Sequence, residues 1–254
     1  MRNILTVYQK EMRIYFLSPI AYIVIAMYLI LFGYFFTAAI YYYSYWSQRW
    51  QAQPYFDLNI TQQVFRPLFH NISVTLIIIF PMLTMRLFAE EKKTNTIELL
   101  FTYPLHDVEI ILGKLLSCLS VFLIPVVISF INVLLLNTVI KLEWGAILSG
   151  YIGITLIGLS ALSLGMFISS LTENQIVAAI VTFGILLLLW ILDWICETAG
   201  WKIGQILREF SIMQHFDDFS KGVIHLKDLV FHFCFTFFFT FLTFVNLGTK
   251  RWRG

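Results

Sequence analysis

The chain has 254 residues, of which 59% are hydrophobic and 17% aromatic but only 13% charged, too few charges to coat a water-soluble globule of this size. Its net charge of +2 comes from Lys and Arg clustered beside apolar runs, not along a groove, which argues against nucleic acid as a partner. Cys118, Cys196 and Cys234 lie far apart with no CxxC or Cys/His spacing, and are expected to be free thiols.

In residues 1–19, Ile4, Leu5, Tyr8, Met12, Tyr15 and Phe16 fall at helical spacing on one face, with Arg2, Asn3, Thr6, Gln9, Lys10 and Arg13 on the other. The pattern predicts an amphipathic elbow helix on the membrane surface, bent into the bilayer at Pro19. Its scattered charges do not fit a cleaved signal peptide, so the first span is expected to stay as an anchor. A helix needs about 20 apolar residues to cross the hydrocarbon core. Six stretches meet this, at about 20–43, 72–88, 115–140, 147–171, 176–195 and 229–248. These runs are continuously apolar, unlike barrel strands, so the expected fold is all-α: one polytopic membrane domain over 1–254. Tyr41, Tyr42, Tyr43, Tyr45 and Trp46 form an aromatic belt at the end of the first span. Arg2, Lys10, Arg13, Arg86, Lys92, Lys93, Lys114, Lys250, Arg251 and Arg253 all flank one side, which predicts both termini in the cytoplasm.

Between the second and third spans, in the 89–113 region, Thr94 or Thr96 is placed to cap a short helix. Its first turn carries Glu98, its apolar residues are Ile97, Leu99, Leu100 and Phe101, and Pro104 stops it. Too short to bury those residues alone, it either enters a groove on a partner or packs as a connector on its own bundle. In the fourth span Ala161, Gly165 and Ser169 make a small-residue face suited to close helix approach, within one subunit or at an interface. Thr172 and Gln175 read as a capping box for the fifth span. The 196–228 connection sets Trp201, Ile203, Ile206, Leu207, Phe210, Phe216 and Phe219 among charges, a pattern for interfacial or re-entrant helices.

No catalytic constellation is present. HExxH and GxSxG are missing, and the pair Gly113-Lys114 lacks the rest of a P-loop, so no ATP hydrolysis by the usual route is expected. His225 and His232 are seven apart without a third ligand, which favours a plain pair over a metal site. Ionisable side chains are nearly absent deep in the spans, fewer than a proton pump or secondary transporter would carry, and Asp193, with Asn132 and Asn137, falls in the outer half of its helix, within reach of water or headgroups.

The set Arg86, Ala89, Glu90, Glu91, Thr96, Glu98, Leu99, Leu100, Pro104, Gly113 and Lys114 resembles the coupling-helix signature of ABC-2 type permeases. The run from Ser169 to Gln175 is similar to their second cytoplasmic connection, and the likeness covers nearly the whole chain. The run from His215 to Gly222, followed by Asp228, resembles the branch holding gliding-motility and nitrous-oxide-reductase maturation permeases. Asn95 stands where that family commonly has Gly, a position at which Asn also tolerates the left-handed conformation. The resemblance implies a permease subunit of a bacterial inner membrane, paired with a second permease subunit in a homo- or heterodimer and served by two ABC ATPase subunits. Those subunits would bind ATP and Mg, and this chain would hold no cofactor. Glu90, Glu91, Thr96, Glu98, Leu99, Leu100, Pro104 and Glu173 would couple to the ATPase. The cargo expected is amphiphilic or lipid-linked and exported. The alternative is a membrane assembly subunit that transmits mechanical work to extracytoplasmic partners.

Overall fold

The computed structural model describes residues 2–50, 61–96, 106–198, 209 and 211–253, and among these every regular element is helical. The chain runs α1 (Arg2–Leu17), α2 (Pro19–Trp50), a π-helical turn (Thr61–Phe65), α3 (Arg66–Thr84), α4 (Ala89–Lys93) and α5 (Asp107–Asn137). It continues through α6 (Trp144–Leu171), α7 (Gln175–Thr198), α8 (Ile212–Ser220) and α9 (Leu226–Arg253). Six segments are long and apolar enough to cross a membrane: Pro19–Ser47, Thr61–Lys93, Asp107–Asn137, Trp144–Leu171, Gln175–Leu192 and Leu226–Thr249. Six crossings bring both ends of the chain to one face of the bundle, called here the terminal face.

The second span starts well ahead of the apolar run at 72–88, because its polar residues have partners. Arg66 pairs with Asp217 of α8 at 3.1 Å, and Pro67 suits the first turn of α3, where no backbone donor is needed. At its other end α3 stops at Thr84 and the chain turns before α4. The Ser169 hydroxyl of α6 reaches across and accepts from the Phe88 and Ala89 amides at 3.1 Å each, groups that the broken helix leaves without a partner.

The fourth span, α6, is the hub of the packing, touching α3, α5, α7, α8 and α9. Lipid tails supply little drive for helices to associate, so close packing of small residues has to do it. A side-chain Cβ at Gly150 would overlap the Phe69 ring, one at Gly158 the Phe122 ring and one at Gly165 the Thr84 hydroxyl. The small-residue face of Ala161, Gly165 and Ser169 is therefore used inside this subunit, against α3 and the turn after it.

Within the 196–228 connection, α8 turns Ile212, Met213, His215, Phe216 and Phe219 into the bundle, against α6, α3 and α7. Ser211 caps it, accepting from the Gln214 amide at 3.3 Å. The expected apolar residues Trp201, Ile203, Ile206, Leu207 and Phe210 lie outside the described residues.

Candidate functional site: an ionic junction on the terminal face

The elbow helix α1 is docked, not merely adsorbed. Its contacts advance in step along the first turns of α5: Asn3 donates to Glu109 at 3.1 Å, Val7 lies over Gly113, and Tyr8 donates to Ser120 at 3.1 Å. Gly113 makes this possible, since a Cβ there would sit 2.8 Å from Val7 Cβ. The expected apolar face is rotated as a result. Val7, Glu11 and Tyr15 are the buried positions, while Leu5 is 57% exposed. Glu11 turns inward because a cation waits for it.

That cation is Lys114, whose side chain is 1% exposed and whose ammonium lies 2.7 Å from Glu11 Oε1 and 3.0 Å from Glu91 Oε1. The same Glu91 oxygen accepts from Lys10 at 2.8 Å, and Phe88 presents its ring face 5.1 Å from the Lys114 ammonium. Two carboxylates and two ammoniums thus offset one another where a single buried charge would cost several kcal/mol. The junction joins three elements: α1 through Lys10 and Glu11, α4 through Glu91, and the third span through Lys114.

A second clasp lies beside it. Arg86 donates to the Ser18 hydroxyl at 2.7 Å, holding the bend between α1 and α2, and pairs with Glu90 at 3.5 Å. Tyr15 donates to the Leu83 carbonyl at 2.8 Å, and burial pushes its phenol well above the ordinary range, so it stays a donor. Lys92 donates to the Ser170 carbonyl, which also accepts from Asn246 of α9 at 2.8 Å.

The chain leaves α4 through a left-handed residue. Asn95 has φ 55°, its amide reaches the Lys92 carbonyl at 3.1 Å, and the Thr96 amide reaches Glu91 at 2.9 Å. These two bonds form a Schellman motif, which needs a residue able to take positive φ, and Asn serves where Gly is commoner. Thr94 is the C-cap of α4, and its hydroxyl meets that of Thr96 at 2.9 Å, so both hydroxyls help close α4.

Of the residues expected to couple to an ATPase, Glu90, Glu91 and Thr96 therefore lie together on the terminal face, and Glu173 is exposed there in the α6–α7 link. Glu98, Leu99, Leu100 and Pro104, with Ile97 and Phe101, lie outside the described residues. The expected Thr172–Gln175 capping box is replaced by an Asn174 cap. Asn174 Oδ1 accepts from the Ile176 amide at 2.9 Å, and Thr172 Oγ1 accepts instead from the Asn174 amide at 3.1 Å. His225 and His232 go to different partners, Asp218 at 3.6 Å and Ser160 at 2.9 Å. The histidine pairing that composition did not reveal is His215 with Asp228, at 2.6 Å and buried, which fastens α8 to α9. The side chain of Asp193 is outside the described residues.

The family model described as ABC-2 family transporter protein matches residues 5–246. The chain belongs to the ABC-2 transporter family. No curated protein matches the chain at a significant level. As an ABC-2 family member it is a multi-pass membrane protein and the permease subunit of an ABC transporter, a class that works with an ABC ATPase and usually lacks an ATPase site of its own. In this ABC-2 permease Glu91, Gly113 and Lys114 hold α1, α4 and α5 together, and Arg86 clasps the bend between α1 and α2.

Proposed function

We propose that this permease exports an amphiphilic or lipid-linked substrate, and that a separate ATPase drives it through the segment that follows Thr96. The chain itself holds no ATPase site in this reading. The observation that carries it is the Lys114–Glu91–Lys10–Glu11 junction. A push on the segment leaving α4 acts on Glu91, and Glu91 is bonded to both the elbow and the third span, so the push moves all three. Glu98, Leu99 and Leu100 would enter an apolar groove of the ATPase, with Glu90 and Glu173 at its rim. The exposed basic side chains of Lys10, Arg13 and Lys93 support a cytoplasmic terminal face in a bacterial inner membrane.

The translocation path in this reading runs between two permease subunits. Where α3, α6, α7 and α8 of one chain meet, the space bounded by Ser73, Phe80, Ala161, Trp190 and Met213 measures about 30 Å3, room for one water. By contrast Ile30 and Tyr34 of α2, Ile180 and Leu188 of α7, and Phe237 and Phe241 of α9 present broad apolar faces outward. A second reading, mechanical transmission to partners across the membrane, draws support from α8. Arg66–Asp217 and His215–Asp228 tie it to α3 and α9, so it would follow their movement.

The test replaces Leu99 and Leu100 together by Asp and measures capture of the ATPase alongside detergent-stable yield. An unpaired charge buried in a groove costs several kcal/mol, so capture should be lost while yield persists. A well-folded double variant that captures ATPase as tightly as the parent would sink the coupling assignment.

A further inference from the structure

Between α1, the connector around α4 and the first turns of α5 lies a cavity of about 370 Å3, near the lower end of the size range of small-ligand sites. Its charged walls are balanced: Lys10, Arg86 and Lys114 against Glu11, Glu90 and Glu91. A lone anion or cation entering would leave a charge uncompensated in a half-buried place, whereas a zwitterion adds none.

Two buried atoms on these walls make no hydrogen bond among the described residues, Glu91 Oε2 and Arg86 Nε. Both lysines use the other Glu91 oxygen, and Arg86 spends Nη1 on Ser18 while its Nε stands 3.5 Å from Glu90, too far for a strong charge-assisted bond. Both atoms are closed to water as the side chains stand, so a ligand that used them as acceptor and donor would turn the Glu91 carboxylate and the Arg86 guanidinium toward the cavity. The rest of its lining includes Ile14, Tyr15 and Leu87. Ile14 is also 40% exposed, in line with Leu17 at 87%, so the cavity opens beside an apolar strip of α1. A helix of the length of α5 spans about 46 Å against roughly 30 Å of hydrocarbon, which leaves its ends, and so this cavity beside its first turns, room at headgroup depth.

We infer that this cavity binds the headgroup of a phospholipid that carries both a phosphate and a primary ammonium, the ethanolamine class. The phosphate oxygen accepts from Arg86 Nε, the ammonium donates to Glu91 Oε2, and the acyl chains leave past Ile14. A choline headgroup lacks N–H donors for Glu91, and a glycerol headgroup lacks the cation, so neither fills both positions.

The test is native mass spectrometry of the purified full chain, without ATPase, titrated with ethanolamine, choline and glycerol phospholipids of identical acyl chains and with soluble phosphoethanolamine. The ethanolamine lipid should bind at least about tenfold tighter than the other two, the worth of one charge-assisted hydrogen bond. Arg86→Gln, which removes the phosphate contact common to all three lipids, should weaken them alike. Ile14→Trp, which fills the cavity without touching an ion pair, should bring the ethanolamine lipid down to the choline level in a chain of unchanged thermal stability. Equal binding of the three lipids, or a preference that survives Ile14→Trp, overturns the inference. Displacement of the lipid by phosphoethanolamine at equal concentration would assign the cavity to a free solute instead. Loss of ATPase capture by Ile14→Trp, with lipid binding unaltered, would make it part of a protein interface. Because lipid binding is read on the permease alone, the inference and the proposed coupling fail separately.

Discussion

Lys114 Nζ lies 2.7 Å from Glu11 Oε1, joining the third turn of α5 to the elbow helix α1. Replacing Lys114 by Met leaves Glu11 buried without its closest partner, which costs about 3 to 5 kcal/mol by analogy with other broken buried pairs. The double variant Lys114→Met, Glu11→Gln should recover a large part of this, since no orphan charge remains between them. Thermal unfolding in detergent of the two singles and the double gives the coupling energy. A coupling near zero would mean that the pair does not hold α1 in place.

Asn95 pays for its φ of 55° with a conformation that costs a non-glycine residue about 1 to 2 kcal/mol, though Asn less than most. Asn95→Gly should therefore raise stability slightly, by under about 1 kcal/mol, and Asn95→Val should lower it by about 1 to 2 kcal/mol. The same melting measurement ranks the three. The order Val above Asn would contradict the left-handed turn.

Gly165→Ala places a methyl against the Thr84 hydroxyl, and overpacking of this kind costs about 1 to 3 kcal/mol. Thr84→Ala removes two of the three obstructing atoms, Oγ1 and Cγ2, and leaves Cβ at 2.7 Å, so the double variant should be more stable than Gly165→Ala alone without recovering the full loss. Non-additivity in a double-mutant cycle is the readout. Strict additivity would place the two residues apart.

On the opposite face, partial burial disfavours the ionised Asp217 carboxylate, yet bonds from Lys221 and Arg66 outweigh it and hold the carboxyl below the usual range. A carboxyl depressed in the folded state adds stability above its unfolded pKa of about 3.9, and that stability is lost as pH falls through the folded value. Melting temperature should thus drop on acidification below about pH 4, and Asp217→Asn should show a shallower drop. Identical slopes for parent and variant would remove Asp217 from the acid response.

The spans were legible because bilayer thickness imposes a length and an apolarity that a local window can count. The turn at Asn95 was legible through the family resemblance, which puts Asn where Gly is commoner, and Asn too accepts the left-handed region. The junction was not. Glu11 and Lys114 stand far apart in sequence, and each alone resembles an ordinary charge flanking a membrane segment. In sequence Gly113-Lys114 reads only as an incomplete P-loop and a piece of the family resemblance, while the neighbour that Gly113 admits, Val7, is remote along the chain. At the fifth span two side chains competed for one helix start. Asn174 won because its shorter reach to the Ile176 amide fits a cap directly preceding Gln175.

The Ser169 hydroxyl accepts from two amides of the turn after α3 and donates to the Met85 carbonyl at 3.2 Å, so its one donor and both acceptor positions are filled. A hydroxyl bonded on all sides works as a pin and not as a bearing. The terminal-face ends of the second and fourth spans cannot slide past each other without breaking three bonds at once. They are yoked, and any stroke delivered to the turn between α3 and α4 swings the fourth span with it as one lever.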